Sequence, residues 1–257
     1  MKVVILAGGK GTRLSEETAV IPKPMVEIGN KPILWHIMKL YSYYGFNEFI
    51  ICLGYRGYMI KEYFSHYFLH KSDITVDLAK NSIKVHNSES EPWQVTLVDT
   101  GLETMTASRL KKVEKYVGNS AFMMTYGDGL GDIDLKALLN CHKKHGTLAT
   151  VTAVQPLGRF GSLELDSSGK VGSFLEKPGG DKNWINAGFF VLEPQVFKYI
   201  KSQNTSWEKE PLENLAAKGQ LAAYRHKGFW MPMDTLRDKN ELQRLWLSGK
   251  AAWKVWR

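Results

Sequence analysis

LAGGKGTRL, residues 6–14, continues directly from KVVIL, residues 2–6. The first run is short and apolar, with the length and flanks of a strand buried on both faces of a parallel sheet. Behind it, three glycines and an arginine crowd into one turn. Glycine weakens strands and helices alike, so a cluster of it needs a reason. The usual reason is that something bulky and charged must lie against bare backbone. A buried strand that runs into such a turn sets the expectation of an α/β fold.

Outward from that turn, strand and helix patterns alternate. PILWHIMKLYSYYG (32–45) has helical spacing, with Pro32 in the first turn and Gly45 at the end. EFIICLG (48–54) reads as a second buried strand and YRGYMIKEYFSHYFLH (55–70) as a helix. AFMMTYGDG (121–129) is another strand ending in glycines, DLKALLNCHKKHG (134–146) an amphipathic helix closing on Gly146, and TLATVTAV (147–154) again a strand. Such alternation predicts βαβ units and a mainly parallel sheet. DITVDLA (73–79), SIKVHN (82–87) and QVTLVD (94–99) read as consecutive strands of an inserted region. SLELDSSGKVGSFLEKP (162–178) reads as a hairpin turning at Ser-Ser-Gly, and INAGFFVL (185–192) as one more strand. A last helix over 235–247 precedes the Trp-rich AAWKVWR (251–257). With no repeat and no Pro-, Gly- or Ser-rich linker, the expectation is one α/β domain over 1–257. Its N-terminal part runs to about residue 145, and a second part with β-hairpin insertions covers the rest.

The 257 residues carry a formal net charge of +8, which suggests an anionic partner without saying which. Basic residues are spread, and the small cluster RLKKVEK (109–115) reads as a solvated helix face, so no nucleic-acid partner is expected. No apolar run reaches membrane-spanning length, and the N-terminal apolar stretch is too short for a signal peptide. No membrane partner and a cytoplasmic location are therefore expected. The two cysteines, Cys52 and Cys141, lack metal-ligand spacing and read as buried free thiols. His66 and His70 fall four apart without a third ligand, so they are not read as a zinc site.

The glycine turn has three readings. A P-loop needs a terminal Gly-Lys-Ser/Thr, which is missing. A dinucleotide fingerprint begins well at Gly9-Lys10-Gly11, but Leu14 stands at its third glycine. The third reading is a nucleotide loop, in which backbone N–H groups of Gly8, Gly9 and Gly11 approach base and phosphates and Arg13 grips the polyphosphate with two prongs. Taken alone, the same residues read equally well as a turn with a surface arginine. PKPMVEIGNKPILWHI (22–37) then sets Lys23 between two prolines, an extended and stiff position that limits its reach.

GGxGTRL followed by PKPMVEIGxKPI resembles the signature of sugar-1-phosphate nucleotidyltransferases, and the likeness runs along nearly the whole chain. It implies a Rossmann-like nucleotidyltransferase fold with a mainly parallel central sheet flanked by helices. It also implies a nucleotide site at Leu6, Ala7, Gly8, Gly9, Lys10, Gly11, Thr12, Arg13, Lys23, Thr104, Arg109 and Gly127, with Thr106 beside them. TYGDG (125–129) is similar to the family's metal-bearing turn and FWMPMDTLRDKNEL (229–242) to its second metal segment. Asp128 and Asp234 would then hold Mg²⁺. FLEKP (174–178) and NAGFFVL (186–192) are similar to the sugar-reading segments, which places Glu176, Lys177, Asn186 and Gly188 at the sugar phosphate. Arg13, Lys23 and Asp128 would carry catalysis. ILWHIMKLYSYYG, GYMIKEYFSHYFLHKSD and EPWQVTLVDTG narrow the resemblance to members that join CTP to α-D-glucose 1-phosphate. UTP or dTTP as nucleotide, and a sensor that binds an NDP-sugar without turnover, stand as alternatives.

Two departures from the family pattern stand out. Lys10 fills the variable loop position. Ala107 and Ser108 stand where glycines are expected, which would leave less backbone room around Thr104, Thr106 and Arg109. The resemblance further implies a homo-oligomer, a hexamer among its forms, with the aromatics of YSYYGF, EYFSHYFLH and the WKVWR tail as candidate interface residues.

Overall fold

The computed structural model describes residues 1–155, 162–165, 170–175, 183–201 and 204–256, with backbone alone at 162–165 and 173–175. Seven strands form one sheet: β1 (Lys2–Leu6), β2 (Glu48–Leu53), β3 (Gln94–Asp99), β4 (Phe122–Tyr126), β5 (Ala149–Val154), β6 (Ile185–Leu192) and β7 (Leu221–Arg225). Their order across the sheet is β7-β5-β6-β4-β1-β2-β3. All neighbours pair in parallel except β6, which runs against both β5 and β4.

Both faces of the sheet are covered, as the continuous apolar runs require. Val3 and Ile5 of β1, Phe49 and Ile51 of β2, and Phe189 and Val191 of β6 point into one core layer. The helices Ile33–Tyr43, Leu135–His145 and Leu236–Leu247 close that layer. Val4, Ile50, Met124 and Phe190 point the opposite way, against Thr106–Lys112, Glu114–Val117 and Glu210–Ala217. The period-2 alternation of strand side chains divides the protein into these two layers.

The predicted helices lie where expected, within a residue or two at their ends. Pro32 caps the helix Ile33–Tyr43 rather than sitting inside it, and Gly45 follows with φ of 87°. The helix over 57–70 begins at Gly57, after Arg56 in the left-handed region. One strand expectation fails. QVTLVD belongs to no insertion: as β3 it is the edge strand of the main sheet, paired in parallel with β2 from Glu48↔Gln94 to Leu53↔Asp99. Only Ser72–Asp77 and Ser82–Ser88 form the separate ribbon. The hairpin Ser162–Leu165/Val171–Leu175 is present, with its turn outside the described residues.

The C-terminal tail also departs from expectation. Trp253 is fully buried in this chain's own core, and its indole donates to Nδ1 of the buried His36 at 3.4 Å. The other ring nitrogen of His36 donates to the Ile28 carbonyl at 2.8 Å, while burial pulls its pKa down to about 4. Trp35 and Trp246 meet the same imidazole edge-on, and Trp256 packs against it at a tilt. The tail aromatics therefore pack within the chain. Both cysteines are free, but only Cys52 is buried, and burial pushes its thiol up to about 12. Cys141 is half-exposed. Among the described residues no helix is long and apolar enough to cross a membrane.

Candidate active site

β3, β2, β1 and β4 lie in that order, so the chain's progression across the sheet reverses between β1 and β4. Open α/β sheets bind ligands outside the carboxyl ends of strands at such a reversal. The two strands end in register at Leu6↔Tyr126, which puts the glycine turn after β1 beside the Gly-Asp-Gly turn after β4. The Gly127 N–H donates to the Leu6 carbonyl at 3.1 Å and ties the turns together.

The glycine turn is braced from below. Ala7 N–H donates to the Cys52 carbonyl, and the Gly8 carbonyl accepts from Tyr55 N–H. Gly11, with φ of 65°, then turns the chain into the short helical turn Thr12–Leu14, whose Leu14 is buried. Gly8 owes its lack of a side chain to a neighbour within the protein: a Cβ there would lie 2.2 Å from Nη1 of Arg109. The Arg109 guanidinium is buried and donates to the carbonyls of Gly8 (2.9 Å), Leu53 (3.0 Å), Gly101 (2.7 Å) and Leu102 (3.1 Å), and to the Thr100 hydroxyl (2.8 Å). Burial holds its pKa below the ordinary arginine value, outweighing the opposite pull of Cys52, Asp99 and Glu103. The solvated helix face expected for residues 109–115 thus begins with an arginine clamped beneath the loop.

Four charged groups meet at the other end of the turn. Lys23 Nζ donates to Asp128 Oδ2 at 2.7 Å and to Asp234 Oδ1 at 2.9 Å, and Arg13 Nη1 donates to Asp234 Oδ2 at 2.8 Å. Burial alone would lower the Lys23 pKa; Asp128 and then Asp234 outweigh it and hold the ammonium above its ordinary value. Lys23, expected in extended backbone, instead opens a 3₁₀ turn, Lys23–Met25, behind the extended Pro22. The turn ends in extended backbone at Val26, with Pro24 buried in it. Asp234 is fixed in its own way: Thr235 and Asp238 form a capping box at the start of Leu236–Leu247, and Asp238 Oδ2 accepts from the N–H of both Asp234 and Thr235.

These groups line a cleft of about 580 Å³. Of the residues singled out in the sequence, Leu6, Ala7, Gly8, Gly9, Gly11, Thr12, Arg13, Lys23, Thr104, Thr106, Arg109, Gly127, Asp128, Asn186 and Asp234 border it. Lys10 does not; it pairs with Glu103 at 2.7 Å on the surface. Gly188 lies behind the wall, where its φ of 83° lets the Tyr126 ring pack against bare backbone. Glu176 and Lys177 lie outside the described residues. Ala107 and Ser108 face away from the cleft. Both are buried, their N–H groups meet the Thr205 carbonyl, and Ser108 Oγ accepts from Thr205 N–H. The departure from glycine there costs the cleft no room.

Sequence reading missed Tyr126 and Glu208. Glu208 stands in the cleft wall, accepting from Tyr126 OH through one oxygen and from Thr106 Oγ1 at 2.8 Å through the other. No local motif marks it, because its partners lie 82 and 102 residues away. Among the described residues no group of three His, Cys, Asp or Glu gathers as a metal cage. The Asp128–Asp234 pair suits instead an ion that takes one or two carboxylates and completes its shell with substrate phosphate and water.

Fold and cleft together describe an α/β protein with a cleft across the β1/β4 reversal, where two carboxylates face a lysine and an arginine. The chain belongs to the Nucleotidyl transferase family, whose profile matches residues 2–244. It is 60% identical, over the full length of both chains, to the glucose-1-phosphate cytidylyltransferase of Salmonella typhi. It is 48% identical, again over both full lengths, to a probable glucose-1-phosphate cytidylyltransferase of Bacillus subtilis. In fold it is similar to HddC from Yersinia pseudotuberculosis, with a TM-score of 0.70 at 24% identity, covering 95% of this chain and 99% of that one.

Proposed function

We propose that this nucleotidyl transferase moves the cytidylyl group of CTP to α-D-glucose 1-phosphate, giving CDP-glucose and pyrophosphate. The observation that carries the reading is the meeting of Arg13, Lys23, Asp128 and Asp234 in one cleft. Full-length identity to proteins named for this reaction supports it.

The reaction forms a bond between a sugar-phosphate oxygen and the α-phosphorus of the nucleotide, and breaks the bond from that phosphorus to the bridging oxygen of pyrophosphate. A phosphate monoester is largely dianionic at neutral pH, its second pKa being about 6, so the attacking oxygen needs no general base. The barrier lies in bringing two anions together and in stabilising charge that spreads over the α-phosphate. Positioning and fixed positive charge therefore carry the rate. Arg13, the most exposed of the four, is free to swing from Asp234 onto the triphosphate and the departing pyrophosphate. Lys23, anchored at the cleft floor, neutralises charge between the reacting phosphates. Asp128 and Asp234 would hold Mg²⁺, which supplies charge neutralisation on the nucleotide. Backbone N–H groups of the 8–11 turn receive the nucleotide, and Asn186 stands on the sugar side.

The proposed function spans one catalytic domain, since Leu6, Arg13, Lys23, Tyr126, Asp128, Trp230 and Asp234 all border the same cleft. It extends to a homo-oligomer. Ile74, Val76, Ile83 and Val85 of the ribbon are exposed, and their cross-strand pairs Ile74↔Val85 and Val76↔Ile83 leave apolar surface that a second copy would cover.

Pyrophosphate release with glucose 1-phosphate and Mg²⁺, compared across CTP, UTP, dTTP, ATP and GTP, tests the reading. A strong preference for CTP is expected. Release with another nucleotide overturns the base assignment, and CDP-glucose binding without release from any of them makes the protein a sensor.

A further inference from the structure

Glu208 is an exposed carboxylate in the wall of a cleft assigned to anions, and among the described residues no cation pairs with it. Left to itself such a group repels phosphate. Its two oxygens each accept one hydrogen bond from a neutral hydroxyl, Tyr126 OH and Thr106 Oγ1. Neither partner is loose. The Trp207 N–H donates to Thr106 Oγ1 at 2.8 Å, so the proton of that hydroxyl is directed to Glu208. The Tyr126 ring is seated on Gly188 and edge-on to Phe190. Asn186 Oδ1 accepts from Gly188 N–H, which turns its amide nitrogen toward Tyr126 OH at 3.5 Å. A carboxylate offers about four lone-pair sites, and the two protein hydrogen bonds occupy half of them. What remains is a fixed acceptor, suited to an uncharged O–H donor and hostile to phosphate.

We propose that Glu208, held by Thr106 and Tyr126, reads a hydroxyl group of the bound substrate and so sets its specificity. This rests on the functional reading above. Two parts of the substrates carry such hydroxyls, the ribose of the nucleotide and the hexose of the sugar phosphate. Unlike Arg13 and Lys23, Glu208 acts on binding and selection, because a hydroxyl distant from phosphorus changes little as the bond forms.

The test compares Glu208→Gln with the unaltered protein on CTP against its 2′-deoxy and 3′-deoxy analogues, and on glucose 1-phosphate against its deoxy analogues. The expected result is a KM raised by about tenfold or more for one substrate, the loss expected of a hydrogen bond to a charged group. kcat should change little, and the preference over that substrate's deoxy analogue should disappear. Loss on the nucleotide arm identifies the ribose, and loss on the sugar arm the hexose. A variant that keeps the preference for hydroxyl-bearing substrates on both arms overturns the proposal. Tyr126→Phe keeps the ring on Gly188 but removes one donor; it should weaken the same substrate to a smaller degree. A change in kcat alone would mark the pair as a structural brace and would also overturn it. If the unaltered protein releases no pyrophosphate from any pair, the functional reading fails by itself. Calorimetric binding of CDP-glucose and its deoxy analogues to both proteins then decides the hydroxyl proposal: a preference lost in Glu208→Gln upholds it, and equal discrimination by the two overturns it.

Discussion

Lys23 sits between two carboxylates that would repel each other without it. Replacing it by Met leaves Asp128 and Asp234 unbridged and should cost about 2–3 kcal/mol. That is below the usual range for a broken buried pair, because the Asp128 side chain is still 31% exposed. Chemical denaturation measures the loss, and added Mg²⁺ should restore part of it if the pair accepts the ion. Arg13→Ala and Asp128→Ala should each lower kcat by on the order of a hundredfold or more while the circular dichroism spectrum stays unchanged. His36 makes a separate prediction. Its folded pKa of about 4 lies below the ordinary 6.5, so the unfolded chain takes up the proton first as pH falls. The stability contributed by neutral His36 is therefore complete above pH 6.5 and is lost as pH falls from there toward 4, by roughly 1.4 kcal/mol per pH unit. Denaturation midpoints measured over that window should show the slope, and His36→Gln should flatten it. At this scale Arg13, Lys23, Asp128 and Asp234 were legible, because each sits in a motif of chemically distinctive neighbours. The use of Arg109 was not, because a run of basic residues does not say which of them turns inward.

Short elements owe their placement to ends more than to middles. The capping box of Leu236–Leu247 starts a helix and also holds the N–H of Asp234 on the Asp238 carboxylate. Thr235→Ala should therefore cost about 1 kcal/mol as a lost cap, and should also lower kcat more than that loss explains; urea titration and steady-state kinetics on one preparation separate the two. Pattern found this helix to within a residue, as it found β1 and β2, and the helix after Pro32 to within two. It misplaced β3. Val95 and Leu97 alternate with Gln94 and Thr96 much as Ile74 and Val76 alternate with Asp73 and Thr75, so the two segments look alike along the chain. They differ in their partners. β3 pairs with a strand about forty-six residues earlier (Glu48↔Gln94, 94 − 48), whereas the ribbon pairs with itself, and alternation carries no information on pairing. Glu208 escaped for the same reason: its meaning comes from two distant hydroxyls.

For the molecule as a whole, the sequence predicts the aromatic stretches and the Trp-rich tail as surface for another copy, and the structure instead packs the tail inside the chain. Trp253 is core, so Trp253→Ala should cost about 3–5 kcal/mol in a urea titration. The ribbon is where self-association should fail instead. Val76→Asp with Ile83→Asp should shift the sedimentation coefficient to that of a single chain, leaving the thermal midpoint of the isolated chain nearly unchanged. The sheet's connectivity bears on how the protein is made. β1 precedes the other strands of its sheet along the chain, yet its parallel partners are β2 and, from Val3↔Met123, a strand that is made much later. Until residue 126 is available, one edge of Val3, Val4 and Ile5 has no neighbour, and an apolar stretch in that state is a target for chaperones and for aggregation. Parallel pairing over so long a separation is slow. The glycine turn hangs from the end of that strand, so nucleotide affinity should be the last property regained on refolding from denaturant.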